Sequence, residues 1–548
     1  MDDALKKKER RLVFIIACIL GAVCFLIIYG PYVLNPFYDD WIFMTGERDL
    51  TQHYLGFCMY RSSPWQFPIG LVTTASYPHD MSVIYTDAIP LFAFFGKLLN
   101  PILPQVFQYL GIYGMISMML MGGMGALLIY EYSGRVKLSV ILSLFYTLAW
   151  TMLLRMFYHT SLTSQWLILI SLYLWKRLDL SAHTLKNALI FAVFSAAGML
   201  IHPYLWAMSG GILAMCVLEY LITARDIKRS LLYGFCYMFT GVICLYAFGA
   251  FAIGKGANLG AGKYEANLNT LFNSMDHGIL PGLPVTLLQY EGFGYLGLGI
   301  LFISIVGILT FIVRMRKPVL DIHRLFLFLT AFIFVLFSIV PEVSLGDRVL
   351  VYVDLGKVLG TVVGIFRSNG RFIWPVSIMV MTYLLVFAIR NLKGRRLYIL
   401  LALALFLQVL DLSPFLLKRH RLFNVSDYEY SGILDGLKPL SDVIDRYDHI
   451  VMDLHDGEVD QYLTYYAYLN GMTTNSFYYA RPNNNDTDGT LEALRNDMDR
   501  GRYDESLLYV IGADELYKYL SYDLHFYEVE GRFVGSHEPL DLPDEYRK

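Results

Sequence analysis

Long uncharged apolar runs dominate the chain up to about residue 417 and then stop. Residues 12–34, LVFIIACILGAVCFLIIYGPYVL, form the first run, long enough to cross about 30 Å of hydrocarbon as a helix. The same pattern predicts spans at 105–130, 136–154, 160–177, 184–201, 204–223, 230–252, 293–313, 325–341, 371–390 and 396–413, about eleven transmembrane helices in all. Segment 84–99, IYTDAIPLFAFFGKLL, reads differently. It carries Asp87 and Lys97, is broken by Pro90 and is too short for a span, so a re-entrant or interfacial helix is expected there. After residue 417 the period changes. HIVMDL (449–454), LLYVIGA (507–513) and HFYEVEGRFVGSH (525–537) read as strands, and GILDGLKPLSDVIDRY and GTLEALRNDMDRG as helices, which predicts a small α/β domain. The expected division is 1–417, a polytopic all-α membrane domain with an external loop at 35–104, and 418–548, a soluble domain.

Composition agrees with this reading. Apolar residues make up 56% of the 548 and charged residues 17%, against roughly 45–50% and about 25% in soluble proteins. That excludes disorder and a set of soluble domains. Of six cysteines, Cys18, Cys24, Cys216, Cys236 and Cys244 fall in apolar runs, so no disulfide framework is expected. Charge is split along the chain: residues 1–417 carry 31 Lys+Arg against 21 Asp+Glu, a net of +10, whereas 418–548 carry 13 against 26, a net of −13. Within the apolar part, a non-spanning 84–99 puts 21 Lys+Arg into one set of loops, beginning with KKKERR at the N-terminus, and 10 into the opposite set. The positive-inside bias then predicts a cytoplasmic N-terminus and an extracytoplasmic C-terminal domain; a spanning 84–99 would invert it.

The candidate chemistry lies in the first external loop. NPFYDDWIFMTGERDLTQHYLGFCMYRSSPWQFPIG and SYPHDMSVIYTDAIPL hold Asp39, Asp40, Glu47, Asp49, His53, Arg61, Asp80 and Asp87. Asp49 and His53 stand four apart, on one face of a helix. A carboxylate beside an imidazole suits proton abstraction from a hydroxyl, and is equally suited to a divalent cation, Mg or Mn. Arg155, His159, His202, Glu291, Arg367 and Arg371 fall at predicted external span ends. Singly, such residues read as helix-end snorkels. Gathered in one cup, they would offer guanidinium forks to a lipid phosphate beside a cleft for an apolar tail. Two weaker signals, VMDLHDGEVD (451–460) and ARPNNNDTDG (480–489), read as an acidic loop and a polar turn.

A first helix followed by a long external loop with an early acid, interfacial helices and an extracytoplasmic C-terminal domain resembles the GT-C superfamily of integral membrane glycosyltransferases. GERDLTQHYLGFCMYR, SPWQFPIG, YTDAIPL, EGFGYLGLG and RSNGRFIWP are similar, more closely, to one bacterial GT-C-like family of unassigned specificity. The resemblance implies an integral plasma-membrane enzyme that transfers a sugar, with inversion, from a polyprenyl-phosphate donor to a cell-envelope glycan acceptor on the external face, with membrane lipid around it and no nucleic acid. It implies an external-loop acid as base: Asp49 first, with Asp40, Asp39 and Asp87 as rivals. His53 would orient that base, while Arg61, Arg155, His159, His202, Glu291, Arg367 and Arg371 bind phosphate and sugar. Three other readings stay open: a lipid-linked glycan ligase or polymerase, a lipid-linked sugar flippase, and a non-catalytic membrane scaffold.

Overall fold

Among the described residues, eight helices are long and apolar enough to cross a membrane: Ala4–Tyr29, Leu110–Ser133, Thr184–Ile201, Pro203–Ala224, Ile227–Ala247, Ile322–Ile339, Asn369–Asn391 and Gly394–Phe423. They belong to a computed structural model that describes residues 3–252, 264–286, 288–314, 321–426, 436–441, 443–454, 460–479 and 487–548. The chain is 63% helical. Ile227–Ala247 shows what solvates the outer faces. Leu231, Phe235, Met238 and Phe239, spaced on one helical face, are each more than half exposed, which suits hydrocarbon and not water.

Eight of the eleven predicted spans are present at this length, and the other three are, among the described residues, shorter helices. The run 136–154 divides into Val136–Thr147 and Trp150–Leu153, parted where Ala149 turns extended. In 160–177 the hydroxyl-rich TSLT forms a 3-10 turn, leaving Trp166–Arg177 as a helix of 12 residues. Ser and Thr bond locally in this way and compete with the helix. In 293–313 the helix starts only at Leu298, after Gly297 at φ +86°. Segment 84–99 is a 3-10 turn, Val83–Thr86, and a helix of nine residues, Pro90–Leu98, about half the length a span needs.

The chain forms two compact units. The first comprises Met1–Leu34, Leu110–Gly241 and Asn258–Val425; the second comprises Asn35–Tyr109, Val242–Ala257 and Ser426–Lys548. Residues 35–109, which include the external loop, thus group with 426–548.

Within the second unit a five-stranded sheet has the order Thr473–Thr474, His449–Asp453, Leu507–Ile511, Arg532–Ser536, His525–Val529. The first three strands are parallel, and the last two form an antiparallel hairpin. Helix Gln461–Leu469 connects two of the parallel strands, and Thr487–Met498 precedes the third. Val451, Leu507, Tyr509 and Ile511 of the sheet pack with Leu491 and Met498 in one core. The edge strand is covered by the external loop. Tyr77 N–H donates to Thr474 O and Thr474 N–H to Thr74 O, each at 2.9 Å, which hides a row of backbone groups that would otherwise recruit another strand. These bonds are the physical reason that loop and sheet form one unit. The strands predicted at 449–454, 507–513 and 525–537 are present, as is the helix over GTLEALRNDMDRG. The acidic loop at 455–459, the turn at 480–486 and the start of GILDGLKPLSDVIDRY at 432–435 lie outside the described residues.

Candidate functional site

In the first unit, two one-turn 3-10 segments, Gln289–Gly292 and Asn369–Phe372, carry Glu291 and Arg371. Their adjoining glycines make the approach possible. A Cβ on Gly292 would lie 2.4 Å from Ala266 Cα, and one on Gly370 would lie 2.3 Å from Tyr264 O. Both turns therefore close on the backbone of residues 264–266, and Gly370 N–H donates to Tyr264 O at 3.1 Å.

Arg371 grips Glu291 bidentately, Nε to Oε2 at 2.8 Å and Nη2 to Oε1 at 2.9 Å. Arg155 Nη2 reaches the same Oε2 at 2.9 Å, and His159 Nε2 lies 3.8 Å from Oε1. Trp374 lies under Arg155 at 5.4 Å and Tyr204 under Arg371 at 5.0 Å. Glu291, Arg155 and Arg371 are nearly inaccessible, at 4%, 5% and 7%. Burial by itself pushes the Glu291 carboxyl up, but the charges of Arg155 and Arg371 outweigh it and hold the group well below the usual carboxylate range. Two guanidiniums thus converge on one carboxylate in a place that water scarcely reaches. Such a group favours an anionic guest.

Four of the predicted binding residues are therefore brought together: Arg155, His159, Glu291 and Arg371. His202 has a local task, capping helix Pro203–Ala224 through Nδ1, which accepts from Tyr204 N–H at 3.1 Å. Arg367 stacks on Tyr264 at 5.7 Å. Arg61 belongs to the second unit, where Nε donates to Asn100 Oδ1 at 2.7 Å, Nη1 to Gln105 O at 3.2 Å and Nη2 to Leu103 O at 3.4 Å. That is a structural clamp holding residues 100–105 onto the end of helix Arg48–Ser62, which corrects its reading as a substrate cation.

The helix predicted around Asp49 and His53 is present as Arg48–Ser62, with every residue from Leu50 to Arg61 buried. Asp49 lies half-buried in its first turn and Arg61 in its last, where each complements the helix dipole. His53 is wholly buried, and burial pushes its imidazole down to about 3, so it is neutral. Asp87 supplies a nearby carboxylate: the His53 and Asp87 ligating atoms lie within 4.8 Å of one another. Asp87 has φ +55° and Ile89 has φ +54°. A left-handed backbone is unusual for Asp and costly for a β-branched Ile, and such strain concentrates at functional sites. Thr86, just before Asp87, meets Gly56 so closely that a Cβ there would lie 2.4 Å from the Thr86 Cβ. Asp40 opens the helix Asp40–Met44 and is half-buried. His53 and Asp87 are the pair in this unit able to begin a cation site; the imidazole would suit Mn better than the oxygen-seeking Mg.

Two further acids have roles that periodicity did not reveal. Asp39 accepts from Tyr54 Oη at 2.8 Å and Tyr465 Oη at 2.5 Å, joining the external loop to helix Gln461–Leu469. Burial pushes its carboxyl up, and the two hydroxyls only partly offset this. Asp411, inside helix Gly394–Phe423, accepts from Trp150 Nε1 at 3.1 Å and from the backbone N–H of Ile279 and Leu298. An acid in an otherwise apolar run was the available signal for Asp411; for Asp39 it was the doublet with Asp40.

Residues 18–413 match the family model described as a domain of unknown function (DUF6311), and residues 439–537 match the model of the DUF6311 C-terminal domain. No curated protein matches the chain. The first match alone covers well over half of the sequence, so the chain belongs to the DUF6311 family, with the family's C-terminal domain built on the five-stranded sheet.

Proposed function

We propose that the protein is an inverting membrane glycosyltransferase of the GT-C kind, moving a sugar from a polyprenyl-phosphate donor to a cell-envelope glycan on the external face. The observation that carries this reading is the buried Arg155–Glu291–Arg371 group, in which two guanidiniums are fixed side by side on one carboxylate. A sugar leaving from a phosphate needs charge stabilisation more than it needs a proton, and guanidinium groups fixed by a carboxylate and aromatic faces supply it without reorganisation. In the second unit Asp87 is the base. Its carboxylate removes the acceptor hydroxyl's proton as that oxygen bonds to the sugar C1, while the C1–phosphate oxygen bond breaks and its electron pair leaves on the phosphate. Neutral His53 orients the carboxylate. Asp49 and Asp40 are the remaining candidates for the same role, and the basic loops favour a cytoplasmic N-terminus with the sheet domain outside.

The test is turnover of a labelled polyprenyl-phosphate sugar by purified, folded variants. Asp87→Asn should lower kcat by about 10²-fold or more with little change in thermal stability. Full turnover in Asp87→Asn, Asp49→Asn and Asp40→Asn alike would end the general-base assignment.

A further inference from the structure

We propose that the connector Glu342–Ile365 is a membrane-surface element, seated in the headgroup–acyl boundary of the bilayer. It consists of an antiparallel hairpin, Glu342–Leu345 with Arg348–Tyr352, followed by helix Gly356–Ile365. Every residue of the second strand is exposed, including Val349, Leu350, Val351 and, at 71%, Tyr352. The register shifts between Val343 and Ser344, so Val349, opposite Ser344, shares a face with Tyr352, opposite Glu342, while Val351, opposite Val343, lies on the other face, with Leu350 as the extra residue of the bulge. Both faces are apolar, and neither is covered. The helix continues the pattern: Val358 at 78%, Leu359, Val362 and Ile365 are exposed at helical spacing, while Val363 and Gly364 turn inward. In water this arrangement would be a poor one, since a lone hairpin is marginal and a flat apolar edge invites aggregation.

The occupant follows from continuity with the spans. Two residues separate the hairpin from Ile322–Ile339, and three separate the helix from Asn369–Asn391. Three extended residues reach only about 10 Å, so the connector stays at the membrane ends of both helices. The preceding span already presents Phe328, Phe332 and Leu336 outward. Depth is limited by the backbone. Among the described residues this sheet has two strands, so its outer edges need water or headgroups and do not enter the hydrocarbon core. Tyr352 and the polar Asp347, Arg348, Asp354 and Lys357 suit that level. The proposal is independent of the reaction assigned above.

Nitroxide labels at Leu350→Cys and Leu359→Cys, in the full chain reconstituted into phosphatidylcholine–phosphatidylglycerol vesicles, test it by accessibility to oxygen and to a water-soluble nickel chelate. The unsubstituted chain supplies the background, Phe235→Cys the lipid reference and Asp544→Cys the aqueous one, both positions being exposed. The oxygen-to-nickel ratio at both labels should exceed that of Asp544→Cys several-fold and approach that of Phe235→Cys. Nickel access matching Asp544→Cys overturns the proposal. Shielding from both reagents, the signature of a second copy over the patch, overturns it as well.

Discussion

Glu291 in the first unit and Asp39 in the second are buried to the same degree, at 4% and 7% exposure, yet their partners differ in kind. Glu291 is held by two guanidinium groups, Asp39 by two tyrosine hydroxyls. Two cations more than offset the burial of the first carboxylate, so it stays ionised. Hydroxyls carry no charge, so burial dominates at the second and pushes the carboxyl up. The difference separates an ion cluster from a joint. The joint ties helix Gln461–Leu469 to the loop that carries Asp40, Asp49, His53 and Asp87, so the sheet domain sets the position of the candidate base.

Removing the central acid should give the largest effect. Glu291→Gln removes the carboxylate that two buried guanidiniums share, and breaking a buried ion pair in this way costs about 3–5 kcal/mol. Arg371→Met should cost less, because Arg155 and Glu291 remain as a neutral pair. Denaturant or thermal unfolding in detergent micelles reads both. If Arg371→Met proves the more damaging, Glu291 is not the centre of the group, where the comparison puts it.

The tyrosine joint should respond more mildly. Tyr465→Phe removes one hydroxyl from Asp39, a loss of about 1.5–3 kcal/mol for a hydrogen bond to a charged acceptor. Asp39→Asn keeps an acceptor for both tyrosines and should cost about 1 kcal/mol. A further readout distinguishes a joint from simple packing: on the proposed reaction, Tyr465→Phe should lower turnover through kcat, because the proposed base would be displaced while the Arg155–Glu291–Arg371 group is untouched. A change confined to KM would contradict the joint.

The contrast between the units also explains what could be read from the chain. Apolar runs located the eight long helices because hydrocarbon imposes a simple rule on composition. The three shortened ones were hidden, since a hydroxyl-rich turn such as TSLT and a positive-φ glycine such as Gly297 interrupt a helix without interrupting hydrophobicity. Arg155, His159, Glu291 and Arg371 were legible as a group, because charge at a span end is expensive and rarely idle. Arg61 carried the same signal and serves as a clamp, a distinction that depends on carbonyls of residues 103 and 105 with no sequence signature. The pairing of His53 with Asp87 was equally invisible. Helical spacing pointed to Asp49, whereas the contact with Asp87 is made across the fold by a strained turn.

Acid should separate the two carboxylates by sign. Glu291 has a folded pKa below its ordinary 4.5, so its contribution is complete above that pH and is lost as pH falls beneath it. Asp39 has a folded pKa raised above 3.8, so the folded state holds the proton more tightly and gains stability as pH falls through that raised value. His53, pushed down to about 3 from 6.5, makes the folded protein lose stability between those values as the unfolded imidazole charges. It is present in the parent and in both variants, so it cancels from their differences. Titrating unfolding from neutral pH to about 4 should therefore shrink the stability deficit of Glu291→Gln and widen that of Asp39→Asn, by no more than about 1.4 kcal/mol per pH unit in either direction. Deficits that move in the same sense would mean that one cause governs both acids, burial if both widen and neighbouring charge if both shrink, and the distinction between them would fail.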